Sequence, residues 1–387
     1  MMRYLTVIAS FIIMLCLGSV YAWSIIASEL INNFGFSASQ SQIIFGAIIA
    51  VFPVTMVFVG QIGEKVKARY LAYISGALFF LGNLIASRSG GSFIHIFLGV
   101  GLVTGIATGF GYWVALTTPV QWFPNKKGLI TGIIAAGFGL GAVLMSYLSE
   151  QILLNGNNVL QLFAIIGVTY GALILLFSNF IRHKSTSLKK PKIDIKEQLK
   201  HKVFKKLFVG IFLGTFAGLL VIGNLKVIGG QSSINAHTLV LGISVFAVAN
   251  FLGRISWGFI ADYIGASISI FLALLVQSIS IFMLNIVALT SISYLFIAFL
   301  IGFGFGGNFV LFAKETAHVF GLSNLGKIYP FVFLGYAIAG IAGPFLGGWL
   351  FDTSGAFFSA IILSGFMSLA GSLLFLYQFV KGKKHAY

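Results

Sequence analysis

Charge is what this chain has least of. Of its 387 residues only 8% are Asp, Glu, Lys or Arg, against 58% hydrophobic, whereas a soluble globular chain carries about 25% charge. A water-facing surface cannot be covered with so little. The length would suit two or three soluble domains, but the composition excludes them and makes this an integral membrane protein. Acid is scarcer still. The eight carboxylates are Glu29, Glu64, Glu150, Asp194, Glu197, Asp262, Glu315 and Asp352, and each lies in a loop or near the end of an apolar run. None is placed to take a proton at mid-membrane, and none joins a second acid or a Ser–His–Asp or Cys–His set. No phosphate-cradling loop appears, so ATP is not the expected energy source. The lone Cys16 excludes an intrachain disulfide, and with the six His it forms no metal-ligand spacing. An enzyme is not expected, nor any metal or cofactor.

What the chain does have is long apolar runs. A bilayer core of ~30 Å needs about 20 such residues per helix. On that rule twelve spans are expected, near 4–30, 39–61, 69–88, 92–118, 127–150, 159–181, 206–228, 237–261, 266–288, 292–316, 327–350 and 357–380. The first could be mistaken for a signal peptide, but its apolar run continues past Val20-Tyr21-Ala22 and is too long for a cleaved h-region. It is expected to remain as a helix.

The formal charge of +16 would invite a nucleic-acid reading on a soluble chain; here its placement argues against one. With both termini inside, 21 of the 24 bases fall on one side, ten of them between Arg182 and Lys206. Arg88 and Lys226 face the other side, and Arg254 is left inside a span. That asymmetry puts the basic side in the cytoplasm, which implies a cytoplasmic (plasma) membrane protein with both termini cytoplasmic. The lipid bilayer is then its main partner, and a monomer is the default state.

The basic stretch divides the chain into an N-terminal six-helix bundle (1–181), a linker (182–205) and a C-terminal six-helix bundle (206–387). The linker reads as a solvated tether beside anionic lipid, with Ile193, Ile195, Leu199, Val203 and Leu207 spaced so that part of it could form an interfacial helix. The halves echo each other at an offset of 198, which pairs Gly60 with Gly258, Glu64 with Asp262, Thr118 with Thr316, Gly128 with Gly326 and Gly137 with Gly335. The common offset supports an internal duplication. Gly101, Gly105 and Gly109, and Gly302 to Gly307, mark seams where helices pack closely or slide.

Arg254 demands an explanation. It lies eight residues before Asp262, about 12 Å along the helix at 1.5 Å per residue. Burying it costs about 2.5–3.5 kcal/mol even on the forgiving insertion scale. Either it snorkels or bonds helix carbonyls, or it binds a ligand. The duplicated position is Met56, so the scaffold repeats and the cation does not, which favours a site. Tyr21, Trp23, Tyr112, Tyr147 and Tyr336 are candidates to line it, since such side chains give an apolar wall with a polar tip; for each, core packing or interface anchoring is the alternative. Trp122 reads as an interface anchor.

Twelve spans in two halves resemble the major facilitator superfamily, an all-α fold of two pseudo-symmetric six-helix bundles. GQIGEKVKAR (60–69) is similar to that superfamily's loop pattern, with Glu64-Lys65 for Asp-Arg, and GFIADYIG (258–265) echoes it with Tyr263 for the base. The resemblance implies a conformational latch at Gly60, Glu64, Lys65, Gly258 and Asp262, weakened by these departures. The stretches GSVYAW (18–23), GFGYWVALTTPVQWFPNKKGLITG (109–132), GFGLGA (137–142), AGLLVIGNLK (217–226), GRISWGFIADYIG (253–265) and GFGFGG (302–307) resemble the oxalate–formate antiporter family. By that resemblance Arg254 is the substrate-binding arginine, and Tyr336 replaces a lysine of the oxalate carrier. One cation pair is worth ~4 kcal/mol at 4 Å and an effective dielectric of 20. Its loss disfavours a dianion and implies a monocarboxylate of the formate, lactate or pyruvate class. Related proton-linked carriers have Asp where this chain has Asn250, which implies anion exchange or facilitated diffusion rather than proton symport. A carrier of a larger organic metabolite, or a sensor or scaffold without turnover, is the rival reading.

Overall fold

The structure, a computed structural model, describes residues 2–63, 65–183, 194–232 and 234–382. At residues 21, 24, 38, 39, 42, 236, 352 and 377–382 it describes the backbone without the side chain. Twelve helices among the described residues are long and apolar enough to cross a membrane. They are α1 (Met2–Phe34), α2 (Ile43–Ile62), α3 (Ala68–Ser87), α4 (Phe93–Val120), α5 (Lys127–Leu154), α6 (Val159–Ser178), α7 (Lys202–Gly230), α8 (His237–Ile264), α9 (Ala266–Ile286), α10 (Ser291–Val319), α11 (Leu322–Phe351) and α12 (Phe358–Leu376). They coincide with the twelve apolar runs read from the sequence. α1 is longer than expected and contains a 3-10 turn at Gly18–Ala22. A short helix, Ile195–Lys200, precedes α7 and is capped by Asp194.

The polar residues between apolar runs set where helices begin and end. Ser37 with Gln40, Asn158 with Gln161 and Thr290 with Ser293 form reciprocal capping boxes, which satisfy amide groups that a helix start leaves without intrahelical partners. Gly265 alone connects α8 to α9 at φ +87°, a conformation that L side chains rarely adopt. The final glycine of the GFIADYIG stretch is therefore needed for the turn.

The chain forms two compact units. One comprises Met1–Pro124 and Gly137–Lys190, the other Asn125–Ala136 and Pro191–Tyr387. The first turns of α5 thus group with the second unit, although the rest of that helix belongs to the first.

Helix pairing repeats in the two units. α2 packs on α4, α3 on α4 and on α6, and α1 on α6; α8 packs on α10, α9 on α10 and on α12, and α7 on α12. The glycines explain how closely. A methyl group on Gly109 would stand 2.7 Å from the Phe52 carbonyl oxygen, and one on Gly306 would stand 2.5 Å from that of Asn250. Phe52 and Asn250 are themselves 198 positions apart. Gly137 and Gly335 likewise meet the carbonyls of Phe11 and Phe208, at 2.6 and 2.7 Å from such a methyl. Missing side chains let backbones touch, the main way apolar helices associate without a hydrophobic driving force in lipid. Within α4, Phe97–Thr104 is π-helical, a local widening that recurs at functional sites in other proteins.

Candidate functional site

Arg254 projects from α8 and is 1% exposed. It does not reach a surface. Its Nε donates to Asn250 Oδ1 at 2.8 Å, one helical turn earlier, and its Nη1 donates to the Ala135 carbonyl oxygen on α5 at 2.6 Å. The guanidinium carbon lies 4.2 Å from the centre of the Phe309 ring, within range for a cation–π attraction. The bond to a helix carbonyl is one of the alternatives the sequence left open. These three contacts, an amide oxygen, a main-chain carbonyl and a ring face, are dipolar and carry no net charge.

Tyr336 is 0% exposed and belongs to the same cluster. Its ring lies 5.4 Å from Phe309, edge-on, and 5.0 Å from Phe333, stacked. Tyr329 stacks on Phe333 at 5.3 Å. Arg254 and Tyr336 thus share one aromatic neighbour, Phe309. Phe309 and Phe333 were not singled out from the sequence. The spacing of Tyr329, Phe333 and Tyr336 along one helical face was a usable signal, although 41 phenylalanines diluted it.

The remaining candidates lie in the first unit, each in its own setting. Tyr112 is buried between Phe52 and Phe138, with ring centres 5.6 and 5.4 Å away. Trp23 is buried and donates its indole N–H to the carbonyl and hydroxyl oxygens of Ser41 at 3.1 and 3.2 Å. It borders a cavity of about 30 Å³ with Ser19, Asn83 and Thr104, room for one water rather than an organic acid. Tyr147 is 61% exposed. The side chain of Tyr21 lies outside the described side chains. Trp122 donates to the Arg182 carbonyl at 2.9 Å and so ties the end of α4 to the end of α6.

At the basic end of α8, Asp262 accepts the amides of Gly128 and Leu129, both at 2.9 Å, and the Lys314 ammonium at 2.6 Å. The carboxylate caps the first turn of α5, where orphan amides and the helix dipole favour negative charge. Gly258 lies against Gly128, so that a methyl on either would run into the other's carbonyl oxygen. Tyr263, in the place of the expected base, is exposed. Lys314 of α10 supplies the cation instead, a partner that no local motif announced. In the echoing loop, Gly60 is buried, Lys65 is exposed, and Glu64 lies outside the described residues. Among the described residues no His, Cys, Asp and Glu cluster could hold a metal ion.

Twelve apolar helices in two units with repeated pairing define a polytopic helical transporter architecture. Comparison with known proteins narrows it. The profile of the Major Facilitator Superfamily matches residues 6–329, and the chain belongs to that family: it is a multi-pass membrane transporter, not an enzyme. It is 27% identical to an MFS-type transporter of Escherichia coli, YhjX, over 88% of this chain and 86% of that one. It is 26% identical to the oxalate:formate antiporter of Oxalobacter formigenes, over 87% and 82%. It is 23% identical to mouse monocarboxylate transporter 12, over 76% and 69%. In fold it is similar to a bacterial homologue of the iron transporter ferroportin, with a TM-score of 0.74, 14% identity and coverage of 97% and 99%.

Proposed function

We propose that the protein carries small organic anions across the membrane, with Arg254 binding the substrate carboxylate and Tyr336 shaping the apolar side of the site. The observation that carries this reading is a guanidinium buried deep in an apolar span, with Asn250 Oδ1, the Ala135 carbonyl and the Phe309 ring among its contacts. Such a cation favours an anion and, as an arginine, can present it with a planar fork. The names of two relatives, an oxalate:formate antiporter and a monocarboxylate transporter, support the same substrate class.

A monocarboxylate such as formate, lactate or pyruvate fits one arginine better than a dianion does. The neutral Asn250 beside Arg254 favours anion exchange over proton symport. In this reading 1–181 and 206–387 are the two halves that alternate access around the site, joined by the basic linker 182–205. Both termini lie on the cytoplasmic side of the cytoplasmic membrane, as the distribution of bases favours. Gly258 and Asp262, with their echo at Gly60, Glu64 and Lys65, act as the latch.

Counterflow in proteoliposomes loaded with formate, lactate, pyruvate or oxalate tests this. Labelled monocarboxylate should accumulate against loaded monocarboxylate without a proton gradient, and oxalate should compete poorly. Flux that requires an imposed proton gradient would overturn the exchange mode. Absence of flux with every acid would overturn the substrate class.

A further inference from the structure

The contact between Arg254 and Ala135 does more than solvate a cation. Asn125–Ala136, the start of α5 and the residues just before it, groups with the second unit and is held to α8 at three levels. At the first, Asp262 caps Gly128 and Leu129, and Gly258 lies against Gly128. At the second, a methyl on Gly132 would stand 2.5 Å from the Arg254 main-chain oxygen. At the third, the Arg254 side chain holds the Ala135 carbonyl at 2.6 Å. One residue further on, between Ala136 and Gly137, the helix passes from one unit to the other. The residue proposed to bind substrate is therefore also the last clasp on this segment.

We infer that the Ala135 carbonyl is a stand-in for the substrate carboxylate, and that anion binding draws Nη1 away from it and releases the start of α5 from α8. The inference rests on the reading of Arg254 as the anion contact. Three physical points support it. A carbonyl inside a helix already accepts the amide four residues on and has a second lone pair for the guanidinium, so losing Arg254 leaves no orphaned acceptor. A carboxylate brings a full opposite charge and two oxygens that match the guanidinium fork, which a single neutral carbonyl cannot, so the exchange runs toward substrate. Nε is committed to Asn250 at 2.8 Å, so a bidentate carboxylate engages the terminal nitrogens, and turning the fork to meet it moves Nη1. Binding energy is thereby converted into freedom of the segment, and by linkage the clasp in turn weakens the anion.

The test places spin labels at Asn125→Cys and Tyr263→Cys, both exposed, in a Cys16→Ala background. Label separation is measured by pulsed dipolar spectroscopy while formate or lactate is titrated against a chloride control. Anion binding is read independently from tryptophan fluorescence of the same protein. A longer-distance population should grow with anion, half-complete at the concentration that half-saturates the fluorescence change. Asp262→Asn, which weakens the clasp from its other end, should lower that concentration by about 5-fold or more. Arg254→Met should leave the distance distribution insensitive to anion. If anion binds with the expected affinity while the distances do not move, the release mechanism is wrong and the assignment of Arg254 survives. If neither acid binds at all, the assignment fails first and takes the mechanism with it.

Discussion

Replacing Asn250 with Asp is the most demanding test of the charge logic at this site. The two side chains have the same shape, so the bond to Arg254 Nε, 2.8 Å long, should persist while its acceptor gains a full negative charge. The charge centres would then lie about 4 Å apart, an attraction of ~4 kcal/mol at an effective dielectric near 20. An incoming carboxylate would have to compete with that attraction. Each 1.4 kcal/mol is a factor of ten, so if the whole energy is expressed the half-saturating concentration rises by about three orders of magnitude; a rise of about tenfold is the least the reasoning tolerates. A proton on the new carboxyl removes the competing charge, so uptake by Asn250→Asp should also become acid-stimulated. Formate and lactate counterflow at neutral and acid pH measures both effects, with thermal melting as the control for folding. Unchanged affinity together with a flat pH response would refute the claim that a neutral residue at 250 favours anion binding by Arg254.

Arg254→Lys keeps the charge and loses the fork; with one charge-assisted bond worth ~1.5–3 kcal/mol, KM for formate counterflow should rise roughly 10- to 100-fold. Tyr336→Lys adds a second cation beside Phe309, and oxalate should then inhibit formate counterflow at least about tenfold better than it does in the parent; no change in the inhibition profile would separate Tyr336 from substrate choice. Gly258→Ala places a methyl against the Gly128 carbonyl, and overpacking of ~1–3 kcal/mol should appear as a lower melting temperature. Gly223→Ala, which meets nothing within 4 Å, should melt as the parent does.

The fold was legible because its determinant is one-dimensional. An apolar run long enough to cross hydrocarbon is visible in any window of the chain, and the caps at Ser37, Asn158 and Thr290 fall at the breaks between runs. The π-helical stretch Phe97–Thr104 was not legible, because GVGLVT offers glycines but no pattern that distinguishes a widened turn from an ordinary one. At the site, Arg254 stood out as a charge where charge is costly. Its partners did not. Ala135 contributes only a main-chain oxygen, which any residue could supply, and Lys314 reaches Asp262 from 52 positions away with no motif around it. Trp23 was legible as a polar-tipped aromatic, but its bond to Ser41 depends on how the chain folds back after Gly35. What residue types alone express was readable; what depends on one helix meeting another was not.

The duplication supplies an internal control for the role of Arg254. At the offset of 198, Asn250, Arg254 and Tyr336 correspond to Phe52, Met56 and Phe138. In the first unit these positions are buried and apolar, and Phe52 and Phe138 pack on Tyr112. In the second unit the same helices cross with the same backbone approach, Gly306 on Asn250 in place of Gly109 on Phe52, yet the side chains include an amide, a guanidinium and a phenol. The crossing therefore forms without a cation. An arginine at this depth costs about 2.5–3.5 kcal/mol, a cost the first unit avoids with Met56. If Arg254 contributed only to packing, Arg254→Met would raise the melting temperature and leave counterflow intact, because it restores the solution the other half already uses. The expected result is a protein at least as stable as the parent, with transport abolished.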